Sequence, residues 1–179
     1  MLRRGPKFGP ILWQLPPNLA FEPERLDPFL VLLPRDRRAA AALAAQHENR
    51  MDGRAWLDPG PDGPVHHAVE GRHPSFGSPE CLALFRGHGV ALVETDGIAD
   101  HPQLREPTGP IRYARLHLRP ELGPAGYGPA AIAEWAERCR GWAAEGRDVF
   151  IIFDAAGDES VKLHTPTNAA ALLAELARG

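Results

Sequence analysis

Five short apolar runs, most of them separated by a helix-forming stretch, constrain this chain more than any other feature. They are "GPILWQL" (9–15), "VHHAVE" (65–70), "VALVET" (90–95), "IRYARLHL" (111–118) and "DVFIIFD" (148–154). Each reads as a continuous run rather than an alternation of apolar and polar residues. That is the mark of a strand covered on both faces. Strands that alternate with helices imply a parallel sheet in an α/β fold.

The segments between the runs carry helix and loop signals. Pro16 and Pro17 close the first run, because proline has no amide donor for a ladder. "ERLDPFLVLL" reads as a helix entered after Phe21, with Pro28 inside it and Pro34 at its end. "RDRRAAAALAAQHENR" is rich in strong helix formers and is expected to stay helical to Arg50. Ser78 and Pro79 form an N-cap and N1 pair for "PECLALFRGHG", which stops at Gly87 and Gly89. In "AAIAEWAERCRGWAAEG", Ile132, Trp135, Cys139 and Trp142 recur at spacings of three and four, so the helix is amphipathic and its tryptophans are core. Thr165 or Thr167 is expected to cap the last helix, "NAAALLAELARG". "DPGPDGP" (58–64), the segment 96–110 and "RPELGPAGYGP" are loops.

Composition enters where it excludes function classes. With 179 residues, 44% hydrophobic and 24% charged, the chain suits one domain, 1–179, with a sizeable core. A formal charge of −3 gives no global attraction to nucleic acid or anionic membrane. No apolar run approaches the roughly 18 residues of a membrane span. The start, "MLRRGPKFGP", lacks the apolar stretch of a secretory signal. A cytoplasmic protein is therefore expected. Cys81 and Cys139 lie in helix-like segments and read as buried thiols, not a disulfide.

Polar residues gather where the runs end. Gln14 follows "ILW"; Glu70, Arg72 and His73 follow "HHAV"; Glu94 and Asp96 follow "VALV"; Arg115 and His117 close the fourth run; Asp154 follows "VFIIF". In parallel α/β folds these ends share one face, where sites form. Alternation puts Glu70 with Arg72, and Arg115 with His117, on common sides. Two readings stay open for these residues. They hold an anion and move protons, or they satisfy one another as internal ion pairs, since an unpaired buried charge is costly. His73 precedes a proline and is a general acid–base candidate. His66 and His67 are adjacent on one strand and face opposite ways, and no HExxH or CxxC spacing occurs, so no metal is expected. No Walker loop, GxGxxG or GxSxG is present, and no cofactor is expected.

Several stretches, in order, resemble one family. "GPKFGPILWQLPPNLAFEPERL" is similar to the segment around "LGPVLFQLPPSF" in the domain of unknown function 72 proteins, also called YecE-like. "VEGRHPSF" resembles that family's "VEFRHPSW", and "YARLHL" its "YVRLHG". "GYGPAAIAEWAERCRGWAAEGRDVFIIFD" and "TPTNAAALLAEL" resemble its later segments. The resemblance runs from about Gly5 to the C-terminus and implies a TIM-type (β/α) barrel without a settled activity. It places Gln14, Glu70, Arg72, His73, Arg115, His117 and Asp154 at a barrel mouth. Tyr127 and Asn168 fall in the matched segments and join Gln14, Arg72 and Arg115 as ligand-binding candidates. Glu70, His73, His117 and Asp154 are the catalytic candidates.

The chain departs from the family pattern at Gly71, Phe76 and Leu118, and in "FDAAGDE". A strand glycine such as Gly71 is expected to weaken packing. The resemblance starts at the family's fourth strand, so an incomplete barrel of about five strands with two open edges is expected. Such edges would favour self-association. The functions to weigh are phosphate-ester or phosphodiester hydrolysis, binding of nucleic acid or another polyanion without chemistry, and an inactive partial barrel.

Overall fold

A computed structural model of the chain describes residues 7–96, 101–118, 126–155 and 164–178. Among these residues six parallel strands form two three-stranded sheets. β1 (Ile11–Gln14), β2 (His67–Glu70) and β3 (Ala91–Leu92) make the first; β4 (Glu94–Thr95), β5 (Ile111–Leu118) and β6 (Asp148–Ala155) make the second. Within each sheet every strand neighbours the next one in the chain. The register sets Gln14 opposite Glu70, Thr95 opposite Arg115, and His117 opposite Asp154. Among the described residues neither sheet closes on itself, so the structure is α/β with two small sheets and shows no closed barrel.

The third expected strand is one stretch of chain divided between the two sheets. β3 pairs back to β2 and β4 pairs forward to β5, with Val93 between them donating to the Val69 carbonyl at 2.9 Å. Thr108 explains the division. Its hydroxyl accepts from Leu92 N and donates to the Val90 carbonyl, both at 2.8 Å, and so takes the place a neighbouring strand would fill. Gly109 lets this segment lie flush. A Cβ there would stand 2.7 Å from the Ala91 nitrogen.

Among the described residues five helices flank the sheets: α1 (Pro23–Leu32), α2 (Arg37–Ala44), α3 (Pro79–His88), α4 (Pro129–Ala144) and α5 (Thr165–Leu176). α2 ends at Ala44, short of Arg50. A separate 3-10 turn occupies Asn49–Met51, because "QHENR" offers no apolar face to bury. α3 follows its sequence signals. Ser78 Oγ accepts from Cys81 N at 3.2 Å, and Gly89 ends the helix with φ 60°. α5 corrects the expected cap: it already includes Thr165 and Thr167, and His164 precedes it without a side-chain cap.

Strand alternation sorts the core into three clusters. Val69 and Leu92 face α1 and α3, packing with Leu30, Phe76, Cys81 and Phe85. Ala114 and Leu116 face α4 and α5, with Ile132, Trp135, Ala136 and Leu172. Ala68, Ala91, Val93, Ile111 and Tyr113 fill the inner face, against which Leu12 of β1 and Phe150 of β6 both pack. The two sheets thus curl around a shared interior. Both cysteines are free and buried. No described helix is long and apolar enough to cross a membrane.

Candidate functional site

The polar groups at the strand ends meet around Arg115. It stands on the inner face of β5, two residues beyond Tyr113. Its Nη1 donates to Gln14 Oε1 at 2.7 Å and to Glu70 Oε2, and its Nη2 donates to Asp154 Oδ2. These partners lie on β1, β2 and β6, so one guanidinium joins the first strand to the last. Arg72 Nε donates to the other Glu70 oxygen at 2.8 Å. Glu70 is 1% exposed, whereas Asp154 is 36% exposed and Gln14 also faces solvent.

Charge balances inside this ring: two carboxylates face two guanidiniums. Burial alone would raise the Glu70 pKa, but hydrogen bonds and charge from Arg115 and Arg72 outweigh it and hold the carboxyl below its ordinary range. Burial would likewise lower Arg115, yet Glu70 and Asp154 push it above its ordinary value. The pair is firmly ionised.

His117 lies next to this ring and is 1% exposed. Burial first, and then the Arg115 charge, lower its pKa, so the imidazole is neutral near pH 7. Its Nδ1 is 3.7 Å from Asp154 Oδ2, beyond hydrogen-bond range. Among the described residues both ring nitrogens are buried without a hydrogen-bond partner, as are Arg115 Nε and Thr95 Oγ1. Thr95 is opposite Arg115 in register. Four buried hydrogen-bonding atoms on two paired strands thus lack partners among the described residues, an arrangement that native interiors rarely tolerate.

Of the residues singled out from the sequence, Gln14, Glu70, Arg72, Arg115 and Asp154 form one hydrogen-bonded group, with His117 beside it. His73 is placed differently. Its Nδ1 is 2.7 Å from Ser75 Oγ, and it precedes the 3-10 turn Pro74–Gly77. Tyr127 and Asn168 bind each other: Tyr127 N donates to Asn168 Oδ1 at 2.9 Å, and Asn168 Nδ2 donates to the His164 carbonyl at 2.8 Å. The Tyr127 ring packs in the cluster under α4 and α5. Asp96 links this pair to β5, taking the Tyr127 hydroxyl on one oxygen and His117 N, at 3.1 Å, on the other.

Glu94 is a correction to the strand-end grouping. Alternation turns it to the helix side, where Arg112 donates to it at 2.7 Å and Arg138 of α4 pairs with its other oxygen. Those guanidiniums stack on Trp142 and Trp135, at 4.6 and 4.1 Å from the ring centroids. The group fastens α4 to the sheet. Thr95 and Ser75 are the participants that sequence reasoning missed. Inner-face parity with Val93 signals Thr95, but no pattern signals Ser75.

Among the described residues, no three His, Cys, Asp or Glu side chains are placed to hold a metal ion. The segments 97–100, 119–125 and 156–163, with the altered end of "FDAAGDE", lie outside the described residues, as does the Leu118 side chain.

Over residues 1–179 the chain matches the family described as "Protein of unknown function DUF72". A DUF72 family protein from Enterococcus faecalis V583 superposes with a TM-score of 0.63 at 18% identity, covering 98% of this chain and 64% of that one. A DUF72 family protein from Thermotoga maritima MSB8 superposes with a TM-score of 0.55 at 17% identity, covering 96% and 60%. At these identities the likeness is one of fold. The chain spans less than two thirds of the length of either structure. No curated protein matches it.

Proposed function

This chain belongs to the DUF72 family of proteins of unknown function, and from that premise we propose that the strand-end site binds a small anion of the phosphate-ester or phosphodiester class and hydrolyses it. The observation that carries this reading is His117: a neutral, buried imidazole whose two nitrogens have no hydrogen-bond partner among the described residues, beside the Asp154 carboxylate and the Arg115 guanidinium. A satisfied core histidine would bond its neighbours, as His67 does.

Arg72 supplies the entry contact. Among the described residues only its Nε is committed, to Glu70, so its two Nη groups remain to hold a phosphoryl oxygen. Asp154, the more exposed of the two carboxylates, is displaced from Arg115 Nη2 by the incoming anion. That uncovers His117. The imidazole takes the proton of a water whose oxygen attacks phosphorus, and returns it to the leaving ester oxygen as the P–O bond breaks. His117 must be neutral to begin, and its lowered pKa keeps it so to more acid pH than a free imidazole. The chain-order arrangement of parallel strands further supports reading them as part of a TIM-type barrel. A small anion suits the charge-balanced ring better than nucleic acid, which would need a basic surface.

The test is turnover of chromogenic phosphomonoesters and phosphodiesters. Wild-type protein is expected to turn one of them over. His117→Gln should lower kcat by about 10²–10⁴-fold, and Arg72→Ala should chiefly raise KM. Absence of turnover above buffer on both substrates would overturn the reading. One observation favours a second reading, a ring without a ligand: Arg115 spends both Nη groups on protein partners. That reading expects no shift in melting temperature with either ester.

A further inference from the structure

We infer that Ser75 is a phosphoryl-accepting nucleophile with His73 as its general base. Ser75 Oγ is 2.7 Å from His73 Nδ1 and accepts the Phe21 backbone N–H at 2.8 Å. Ser75 N also donates to Nδ1, at 3.2 Å. Nδ1 therefore faces two donors and acts as an acceptor, and the ring proton is on Nε2. This is the tautomer a base needs. The Phe21 N–H stabilises negative charge as it develops on Oγ, and the second Oγ lone pair remains for attack. Both side chains are partly exposed, unlike His117. Trp13, Phe21 and Phe29 pack against the buried cluster that contains Phe76, so the chain on either side of Ser75 is held against the first strand–helix unit.

In the step, the Oγ–P bond forms as the P–O bond to the leaving group breaks. The hydroxyl proton passes to His73 Nδ1 and from there to the leaving oxygen. The oxygen of a water then bonds to phosphorus as the Oγ–P bond breaks, and the water's proton passes to His73 Nδ1 and from there to Oγ, which restores the serine hydroxyl. The substrate class rests on the reading of the Arg115 site, but the geometry belongs to different residues. The two therefore fail separately.

The experiment is labelling of the folded chain with a fluorophosphonate, in which fluoride is the leaving group, followed by peptide mass spectrometry. The expected result is one adduct on Ser75. It should be absent after urea unfolding, retained in His117→Gln, and reduced at least 10-fold in His73→Gln. A circular dichroism melt of each variant confirms that it is folded. No adduct on Ser75 of the folded wild-type chain would overturn the inference, as would equal labelling of the unfolded chain. Labelling unchanged in a folded His73→Gln would remove His73 as base. A pair that only caps the 3-10 turn gives no adduct.

Discussion

At the scale of single residues, Glu70 and Gly71 show how tightly the end of β2 is built. Glu70 is buried and accepts from two arginines, so Glu70→Gln removes the charge partner of Arg72 and leaves Arg115 with Asp154 alone. Removing one member of a buried pair costs about 3–5 kcal/mol, and urea unfolding of the variant should show a loss of that size. Because the folded Glu70 pKa is depressed, its stabilisation is full above the ordinary carboxyl range and disappears as pH falls through the folded value. Gly71, expected to weaken packing, instead makes room. A Cβ there would lie 2.2 Å from Phe76 Cγ, and the Phe76 ring is fully buried in that space. Gly71→Ala should destabilise by about 1–3 kcal/mol through overpacking. Adding Phe76→Leu should recover part of that loss in the same unfolding measurement. The sequence showed both residues but not their relation, because the ring returns to the glycine only through the turn between them.

At the scale of elements, a histidine holds the first strands together. His67 Nδ1 accepts from Trp13 Nε1 at 3.0 Å, and its Nε2 is 2.8 Å from the Pro34 carbonyl. One ring thus joins β1, β2 and the end of α1. Burial first, and then the nearby Arg35 charge, lower its pKa against the opposing Pro34 bond. The unfolded chain, with an imidazole pKa of about 6.5, therefore binds the proton more readily than the folded one. The stability due to neutral His67 is complete above that value and is lost as pH falls toward the lower folded pKa; His117 acts in the same direction. Melting temperature should accordingly fall between about pH 7 and pH 5. His67→Gln should flatten that slope, and an unchanged slope would deny His67 the role. The helices were legible where a cap or a long amphipathic period marked them, as in α3 and α4. α2 was overextended because helix-forming residues continued after its buried face had ended.

At the scale of the whole molecule, the junction between the two sheets is the feature that the strand pattern concealed. "VALVET" reads as one strand, and locally it is extended throughout. Its division depends on Thr108, fifteen residues beyond Val93, whose hydroxyl serves a buried N–H and a buried carbonyl at once. Thr108→Val keeps the shape and removes both bonds. It should cost about 1–3 kcal/mol in denaturant unfolding, with Thr108→Ser retaining most of the stability. Equal losses in the two variants would show that packing, not the hydroxyl, matters there.

What the sequence by itself determined is where the extended runs lie, that they pair in parallel and which residues stand at their ends, because burial on both faces and alternation are properties of local pattern. Five of the nine residues selected from it bond into one ring for that reason. Only the tertiary structure decided the rest. The curl of the sheets brings Gln14 and Asp154 to the same guanidinium, strand parity sends Glu94 to the helices, and packing leaves His117 buried without a hydrogen-bond partner among the described residues. Each of these depends on which distant segment reaches a given side chain, and that is decided by the fold as a whole.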